Sequence, residues 1–343
     1  MKNTLKSPFN ISIGTVIQGK WHQNKYVIMK ELGRGAIGVV YLAEWNQKKV
    51  AMKLSDNNMT ITSEVNVLKS FRKAQGVTLG PSLLDVDDWV TATGTFSFYV
   101  MEYIEGFQFL NFIKQNGRTW IDMFILQLLS DLSKLHTHGW VFGDLKPENL
   151  IVTGPPIKIR CIDVGGVTPQ GRAIKEFTEF FDRGYWGLGS RKAEPSYDLF
   201  AVAMILINMY YPQRFQKNGD SLTFLKSKIK QVPELKEYYS LLIKALSGHY
   251  KNADEMRKDY LQVLSKKRMN VPQSSPTQMS GFSRRRQKKY QMTGPSGSSS
   301  FHLAKMKNRN LKRKQRKRTG LIESIVLLVL ISFLYFMYIY QFI

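Results

Sequence analysis

The sequence predicts an α+β fold of two lobes, a small strand-rich one followed by a larger helical one, with two appendages after it. Three observations lead there. Residues 26–54 read as consecutive strands, KYVIMKEL, GVVYLAEW and KKVAMKLS, rich in Val, Tyr, Leu and Ile. From about residue 109 onward long helical patterns dominate, as in FILQLLSDLSKLHTHG, which ends on Gly139 as a helix should. Near residue 265 the ordinary globular texture of mixed charge and regular apolar periodicity stops.

Taken in order, the strands at 26–54 are followed by a helical pattern, ITSEVNVLKSFRKA, with Val65, Leu68 and Phe71 on one face. FSFYVMEY, residues 96–103, reads as another buried strand. The expected small lobe is therefore about 20–103 and the larger lobe about 104–265, within a domain of 1–265. Residues 266–320, which include SSPTQMSG, TGPSGSSS, RRRQKK and LKRKQRKR, cannot bury a core and read as a largely disordered basic linker. Residues 321–343, LIESIVLLVLISFLYFMYIYQFI, are apolar over a length sufficient to cross a bilayer as a helix. Lys and Arg just before that span place its near side in the cytoplasm, and Tyr335, Tyr338 and Tyr340 suit the far interface. The expectation is a single-pass, C-terminal tail anchor in the cell membrane with the working domain in the cytoplasm.

With 343 residues and 43% hydrophobic content, the chain is long enough to bury a substantial core. Its one cysteine, Cys161, excludes an internal disulfide framework and fits a reducing compartment. The first 20 residues lack the apolar stretch of a signal peptide. The net charge of +24 is uneven: residues 1–265 carry 33 Lys/Arg and 25 Asp/Glu, whereas 266–318 carry 17 Lys/Arg and no acid. The basicity thus belongs mainly to one segment.

The chemistry-bearing residues begin with ELGRGAIGVVYLAEW, which sets Gly33, Gly35 and Gly38 in a GxGxxGxV pattern. Glycines let a backbone approach phosphates closely. A dinucleotide fold needs a helix after them, but GVVYLAEW is good strand, so a phosphate-covering hairpin is favoured over that fold. A plain glycine-rich hairpin turn is the competing reading. Lys53 ends the strand VAMK, where an unpaired buried ammonium is costly. Glu64, on the helix that follows, is the best carboxylate partner. Downstream, VFGDLKPENLIV brings Asp144, Lys146 and Asn149 within six positions, and IRCIDVGG supplies Asp163, 19 residues after Asp144. Phosphoryl transfer needs metal-binding oxygens, a cation on the moving phosphate and a group to receive the nucleophile's proton. Asp163 and Asn149 offer hard oxygen ligands for Mg²⁺. Lys146 suits the transferred phosphate, and Asp144 suits the attacking hydroxyl.

This ordered set, Gly33, Gly35, Gly38, Lys53, Glu64, Asp144, Lys146, Asn149 and Asp163, resembles the eukaryotic-type (Hanks-type) protein kinases of bacteria over roughly residues 20–265. DLKPEN resembles the serine/threonine rather than the tyrosine branch. The resemblance implies a bilobal protein-kinase fold and a serine/threonine protein kinase that passes the ATP γ-phosphate to protein substrates and to itself. It implies ATP and Mg²⁺ as cofactors, with Mn²⁺ as an alternative metal. It adds Val40 and Ala51 to the nucleotide-binding residues, and FYVMEYIEG resembles the hinge, with Met101 as gatekeeper and Glu102 to Ile104 at the adenine edge. PSYDLFAVAMI resembles the central helix of the large lobe, with Asp198 holding the catalytic loop. The tail-anchored layout most resembles the YabT-type kinases of spore-forming bacilli.

Three departures from the family pattern stand out. His-Arg-Asp reads Phe142-Gly143-Asp144, so the arginine that receives an activation-loop phosphate is absent. Asp-Phe-Gly reads Asp163-Val164-Gly165, which keeps an apolar residue able to stack with Leu68 and Phe142 between the lobes. No Ala-Pro-Glu is evident, and GYWGLGSRKAEPSYD stands in its place. None of these touches a residue that contacts nucleotide or metal, which favours an active enzyme over a catalytically weak pseudokinase scaffold. Control is then expected from elsewhere. The 14 Lys/Arg between Arg284 and Arg318 exceed what topology requires. They fit DNA through its phosphates or anionic membrane lipid, with self-association serving trans-autophosphorylation. Thr168, Thr178 and the linker hydroxyls are candidate autophosphorylation sites, whereas Cys161, His136 and His138 read as structural.

Overall fold

The computed structural model describes residues 10–35, 38–73, 79–211 and 213–269. The small lobe is built on six strands: β1 (Val16–Gln18), β2 (Lys25–Gly35), β3 (Gly38–Trp45), β4 (Lys48–Ser55), β5 (Leu83–Thr91) and β6 (Gly94–Glu102). They pair antiparallel in the order β1-β2-β3-β4-β6-β5. Helix α1 (Asn58–Lys73) lies between β4 and β5 in sequence. The expected strands and helix are present. β1 and β5 were not legible: β1 is three residues long, and LLDVDDWVT puts three acids into its strand.

Alternation of side chains along these strands builds two apolar layers. Val39, Tyr41, Ala43, Val50, Met52, Leu54, Phe98 and Val100 form one layer with Ile17, Tyr26 and Ile28. On the other face, Val40 lies opposite Lys53, Leu42 opposite Ala51, Lys53 opposite Tyr99 and Ala51 opposite Met101. Ala51, Tyr99 and Met101 join Val65 and Leu68 of α1 in a second core that continues into the large lobe. The period of two thus puts Val40, Ala51, Lys53 and Met101 on one face of the sheet.

The large lobe starts with a short strand β7 (Phe107–Gln108) and α2 (Phe109–Asn116), followed by α3 (Ile121–Thr137). After β8 (Trp140–Val141) come β9 (Leu150–Thr153), β10 (Lys158–Cys161) and β11 (Thr168–Pro169). β10-β9-β7 form a small sheet, and β11 pairs with β8. The remaining helices are α4 (Pro195–Asn208), α5 (Ser221–Gln231), α6 (Pro233–Lys236), α7 (Tyr239–Leu246) and α8 (Ala253–Met269). α3 ends as expected, with Gly139 at φ 82° and its amide bonded to the His136 carbonyl. α4 is buried all round, every residue from Tyr197 to Asn208, which is why LFAVAMILI reads as an unbroken apolar run. α8 extends to Met269, past the expected boundary near 265.

Among the described residues, no helix is long and apolar enough to cross a membrane. The expected linker from 270 onward and the expected span at 321–343 lie outside the described residues.

Candidate active site

The glycine pattern folds as a hairpin of β2 and β3, with Gly33 opposite Val40 and Gly35 opposite Gly38. The three glycines differ in what requires them. A Cβ on Gly38 would come within 3.0 Å of the Leu54 carbonyl of β4, so this glycine lets two strands pack. A Cβ on Gly33 would meet nothing within 4 Å, and one on Gly35 only the Gly38 carbonyl at 3.9 Å. Internal packing does not account for those two, which leaves open backbone where a ligand can approach.

Lys53 Nζ donates to Glu64 Oε1 at 2.7 Å, as its apolar strand requires. Glu64 is itself buried and accepts from the Tyr99 hydroxyl at 2.7 Å on its other oxygen. Burial first, then the Glu64 carboxylate, hold the Tyr99 phenol well above its ordinary range, so it stays a donor. α1 is therefore locked to β4 and β6 by one carboxylate, and the lysine is aimed by it.

At the lobe junction Met101 is buried at the end of β6, next to Glu102, and Ile104 is buried two residues further on. The Glu102 side chain turns away to Arg160 of β10, which bonds both its oxygens, and accepts from the Ser82 amide at 3.2 Å. Burial pushes the Glu102 carboxyl up, but Arg160 and Ser82 outweigh it and hold the group below its ordinary value. What Glu102 and Ile104 can offer an adenine is therefore backbone. Arg160 was not singled out in the sequence, because its role exists only once β10 reaches the hinge.

The catalytic loop hangs from α4. Asp198, fully buried, accepts from the amides of Phe142 at 2.7 Å and Gly143 at 2.9 Å, and lies 2.9 Å from His136 Nε2. One carboxylate thus orients the peptide that precedes Asp144, and His136 is structural as expected. Beyond it, Lys146 Nζ bonds the Asp144 carboxylate. The Thr178 hydroxyl donates to Asp144 Oδ1 at 2.9 Å and accepts from Lys146 at 3.0 Å. Asn149 donates its amide nitrogen to the Asp144 carbonyl at 3.0 Å, which leaves its side-chain oxygen as an available donor atom for a cation. Asp163 accepts from the Gly165 amide at 2.9 Å through one oxygen.

The three departures now have physical accounts. Gly143 sits at φ 83°, and a Cβ there would come within 3.0 Å of the Gly166 carbonyl; a Cβ on Gly166 would in turn meet Asp144 at 2.9 Å. No arginine fits on this backbone. The segment after Asp163 is fixed instead by close glycine packing, by β8–β11 pairing and by backbone bonds of Gly171, Ala193 and Ile174. Leu68, Phe142 and Val164 all lie in the core shared by the two lobes. In place of Ala-Pro-Glu, buried Asp182 pairs with Arg191 at 2.7 Å and accepts from Tyr197 at 2.9 Å, while Arg183 pairs with Glu194 at 2.6 Å.

Thr168, a candidate for modification, is fully buried and donates to the Gly166 carbonyl at 2.8 Å, so its hydroxyl is spent. Thr178 turns out to belong to the Asp144 cluster. Sequence reasoning also missed Glu176. Burial, then the Asp163 carboxylate, raise its carboxyl, with Lys53 opposing and Glu64 and Asp144 adding to the rise. One side chain thus senses residues of β4, α1, the catalytic loop and the segment after β10, which is how closely these elements converge. Cys161 is buried, its thiol pushed well up by burial, and it is inert as expected.

A glycine hairpin over a lysine–glutamate pair, facing an Asp-Lys-Asn loop and a second aspartate, defines the class. The protein kinase domain family matches residues 26–279, and the chain belongs to that family; it is a serine/threonine protein kinase of the bacterial Hanks type, in a family that uses ATP and Mg²⁺. Among particular proteins, it is 49% identical to the serine/threonine-protein kinase YabT of Bacillus subtilis (strain 168), over 95% of this chain and 94% of that one. It is 24% identical to the probable serine/threonine-protein kinase PknB of Lactococcus lactis, over 70% of this chain and 42% of that one.

Proposed function

We propose that this chain is a membrane-anchored serine/threonine kinase, acting on protein hydroxyls and on itself, whose control lies in its basic segment. The observation that carries the catalytic assignment is the Asp144–Thr178–Lys146 cluster. An aliphatic hydroxyl already occupies the place where an acceptor hydroxyl would meet Asp144.

The residues fit nucleotide and metal. Gly33 and Gly35 leave open backbone, and Asn149 and Asp163 offer the hard oxygens Mg²⁺ prefers. Bound Mg²⁺-ATP supplies the phosphoryl group and neutralises charge on it as it moves. The chain's own residues do the rest. Val40 and Ala51 line the apolar face of the sheet, and the backbone of Glu102 and Ile104 meets the adenine edge. Gly33 and Gly35 let the hairpin close over phosphates, and Gly38 lets its second strand pack on β4. Glu64 aims Lys53 at them. Asp144 orients the acceptor hydroxyl and takes up its proton, and Lys146 holds charge on the transferred group.

The basic segment Arg284–Arg318, with its 14 Lys/Arg, supports binding to DNA phosphates close to the membrane, which would cluster copies for trans-autophosphorylation. Anionic lipid is the alternative ligand. The apolar stretch 321–343 supports the tail anchor. A scaffold that only tethers DNA or lipid to the membrane is the second reading of the whole chain.

Phosphate incorporation from labelled ATP and Mg²⁺ tests the enzyme: Lys53→Ala or Asp144→Ala abolishes it while DNA or vesicle binding persists. Incorporation that survives both substitutions would sink the assignment. A gel shift of the full chain in detergent, run from about 50 mM salt upward, tests the DNA reading. No shift at the lowest salt ends it.

A further inference from the structure

We propose that the acceptor segments this kinase takes are acidic, and that Arg172, Arg191 and Lys192 select them. The proposal rests on the kinase reading of the Asp144 site, because that site fixes where an acceptor must lie. The Thr178 hydroxyl on Asp144 marks that point. The adjacent residue, Phe177, is exposed, and the Arg191 guanidinium stacks 4.0 Å from its ring centroid. A guanidinium, itself paired with Asp182, therefore packs on the residue next to the one that marks the acceptor position.

That cation is held on a rigid ribbon. The Gly171 amide bonds the Ala193 carbonyl at 2.8 Å, the Ala193 amide the Arg172 carbonyl at 2.8 Å, and the Ile174 amide the Arg191 carbonyl at 2.9 Å. Arg172, Arg191 and Lys192 are exposed on it, and neither Arg172 nor Lys192 has an ion-pair partner among the described residues. The acids of the same region are mostly withdrawn. Asp182 is buried against Arg191, Glu194 is paired with Arg183, and Glu176 turns inward toward Asp163. Glu148, four positions after Asp144, is capped by Arg214, whose guanidinium also packs 4.7 Å from the Phe181 ring. Among the acids of 165–194, only Glu179 is exposed. A basic peptide reaching Asp144 meets two unpaired outward cations, Arg172 and Lys192, beside the Asp182-paired Arg191, and finds the nearby carboxylates occupied. An acidic one finds complementary charge.

The test compares three peptides with one central serine, flanked by glutamates, by arginines or by neutral residues, on the full-length protein with Mg²⁺-ATP. Two unpaired exposed charges, each worth a few-fold, lead to kcat/KM for the acidic peptide about tenfold above the basic one at low salt. The gap shrinks as ionic strength rises. Arg172→Glu with Lys192→Glu narrows or reverses it. Arg214→Ala, which frees Glu148, raises use of the basic peptide. Equal use of acidic and basic peptides by the wild type, or an unchanged ratio in the double reversal, overturns the proposal while transfer to the neutral peptide leaves the kinase reading intact. No transfer to any peptide, nor to the protein itself, overturns both.

Discussion

Placing a side chain at position 143 should damage this kinase even though the family carries arginine there. The cost can be worked from the backbone. At φ 83° a non-glycine residue pays about 1–2 kcal/mol for the left-handed conformation. The Cβ would also come within 3.0 Å of the Gly166 carbonyl, so one of the two segments must move. Gly166 cannot recede toward Asp144, since even a Cβ of its own would lie 2.9 Å from that residue's backbone nitrogen. The expected total for Gly143→Ala is about 2–5 kcal/mol, counting crowding of the kind that costs about 1–3 in packed cores. At about 2–4 °C per kcal/mol for a domain of this size, Tm falls on the order of 10 °C. Because Asp144 follows directly, a displacement near 1 Å should lower kcat about a hundredfold. Thermal unfolding followed by calorimetry and single-turnover phosphate transfer read the two effects separately. Gly143→Arg should be at least as impaired, whatever phosphate is supplied. A Gly143→Ala protein with wild-type Tm and kcat, or a Gly143→Arg protein activated by phosphorylation, would refute the packing argument.

Asp198→Ala leaves the Phe142 and Gly143 amides and His136 without their shared acceptor, each loss of a buried partner costing about 1–3 kcal/mol. Denaturant titration should show at least that loss, with kcat falling more than the ATP KM changes. Tyr99→Phe removes the second bond to Glu64, at about 1.5–3 kcal/mol for a charged acceptor; chemical denaturation reads it, and α1 amides should exchange faster with solvent. The Glu102 carboxyl lies below its ordinary value in the folded state, so its contribution is complete above that ordinary value near 4.5 and is lost as pH falls through the depressed one. Arg160→Met should therefore flatten the acid limb of the Tm–pH curve below about pH 4.5; an unchanged limb would contradict the assignment. Mass spectrometry of protein incubated with ATP should find no phosphate on Thr168, whose hydroxyl is buried against Gly166.

The residues of the site were legible because phosphate transfer restricts chemistry more than it restricts shape. Lys53 in an apolar strand called for an acid, and Glu64 on the next helix was the one within reach. Val40 and Ala51 came from the family resemblance, and the strand period of two is why the structure sets them on a common face with Lys53. Asp144, Lys146 and Asn149 share one loop, so their proximity is a matter of chain length.

Other features depended on where distant segments meet. Gly143 read as a lost regulatory arginine, but only the approach of Gly166 shows that the backbone leaves no room for one. Thr178 read as a candidate for modification, and the fold inserts it between Asp144 and Lys146. Asp182 with Arg191 and Arg183 with Glu194 stand where Ala-Pro-Glu is missing, and Arg160 with Glu102 adds a pair at the hinge. A motif records which groups must touch the reacting atoms, and those groups lie close in sequence or at fixed offsets along strands and helices. The supports behind them need only arrive with the right charge and distance, from any part of the chain. The sequence therefore determined the chemistry, while the tertiary structure decided what holds it in place.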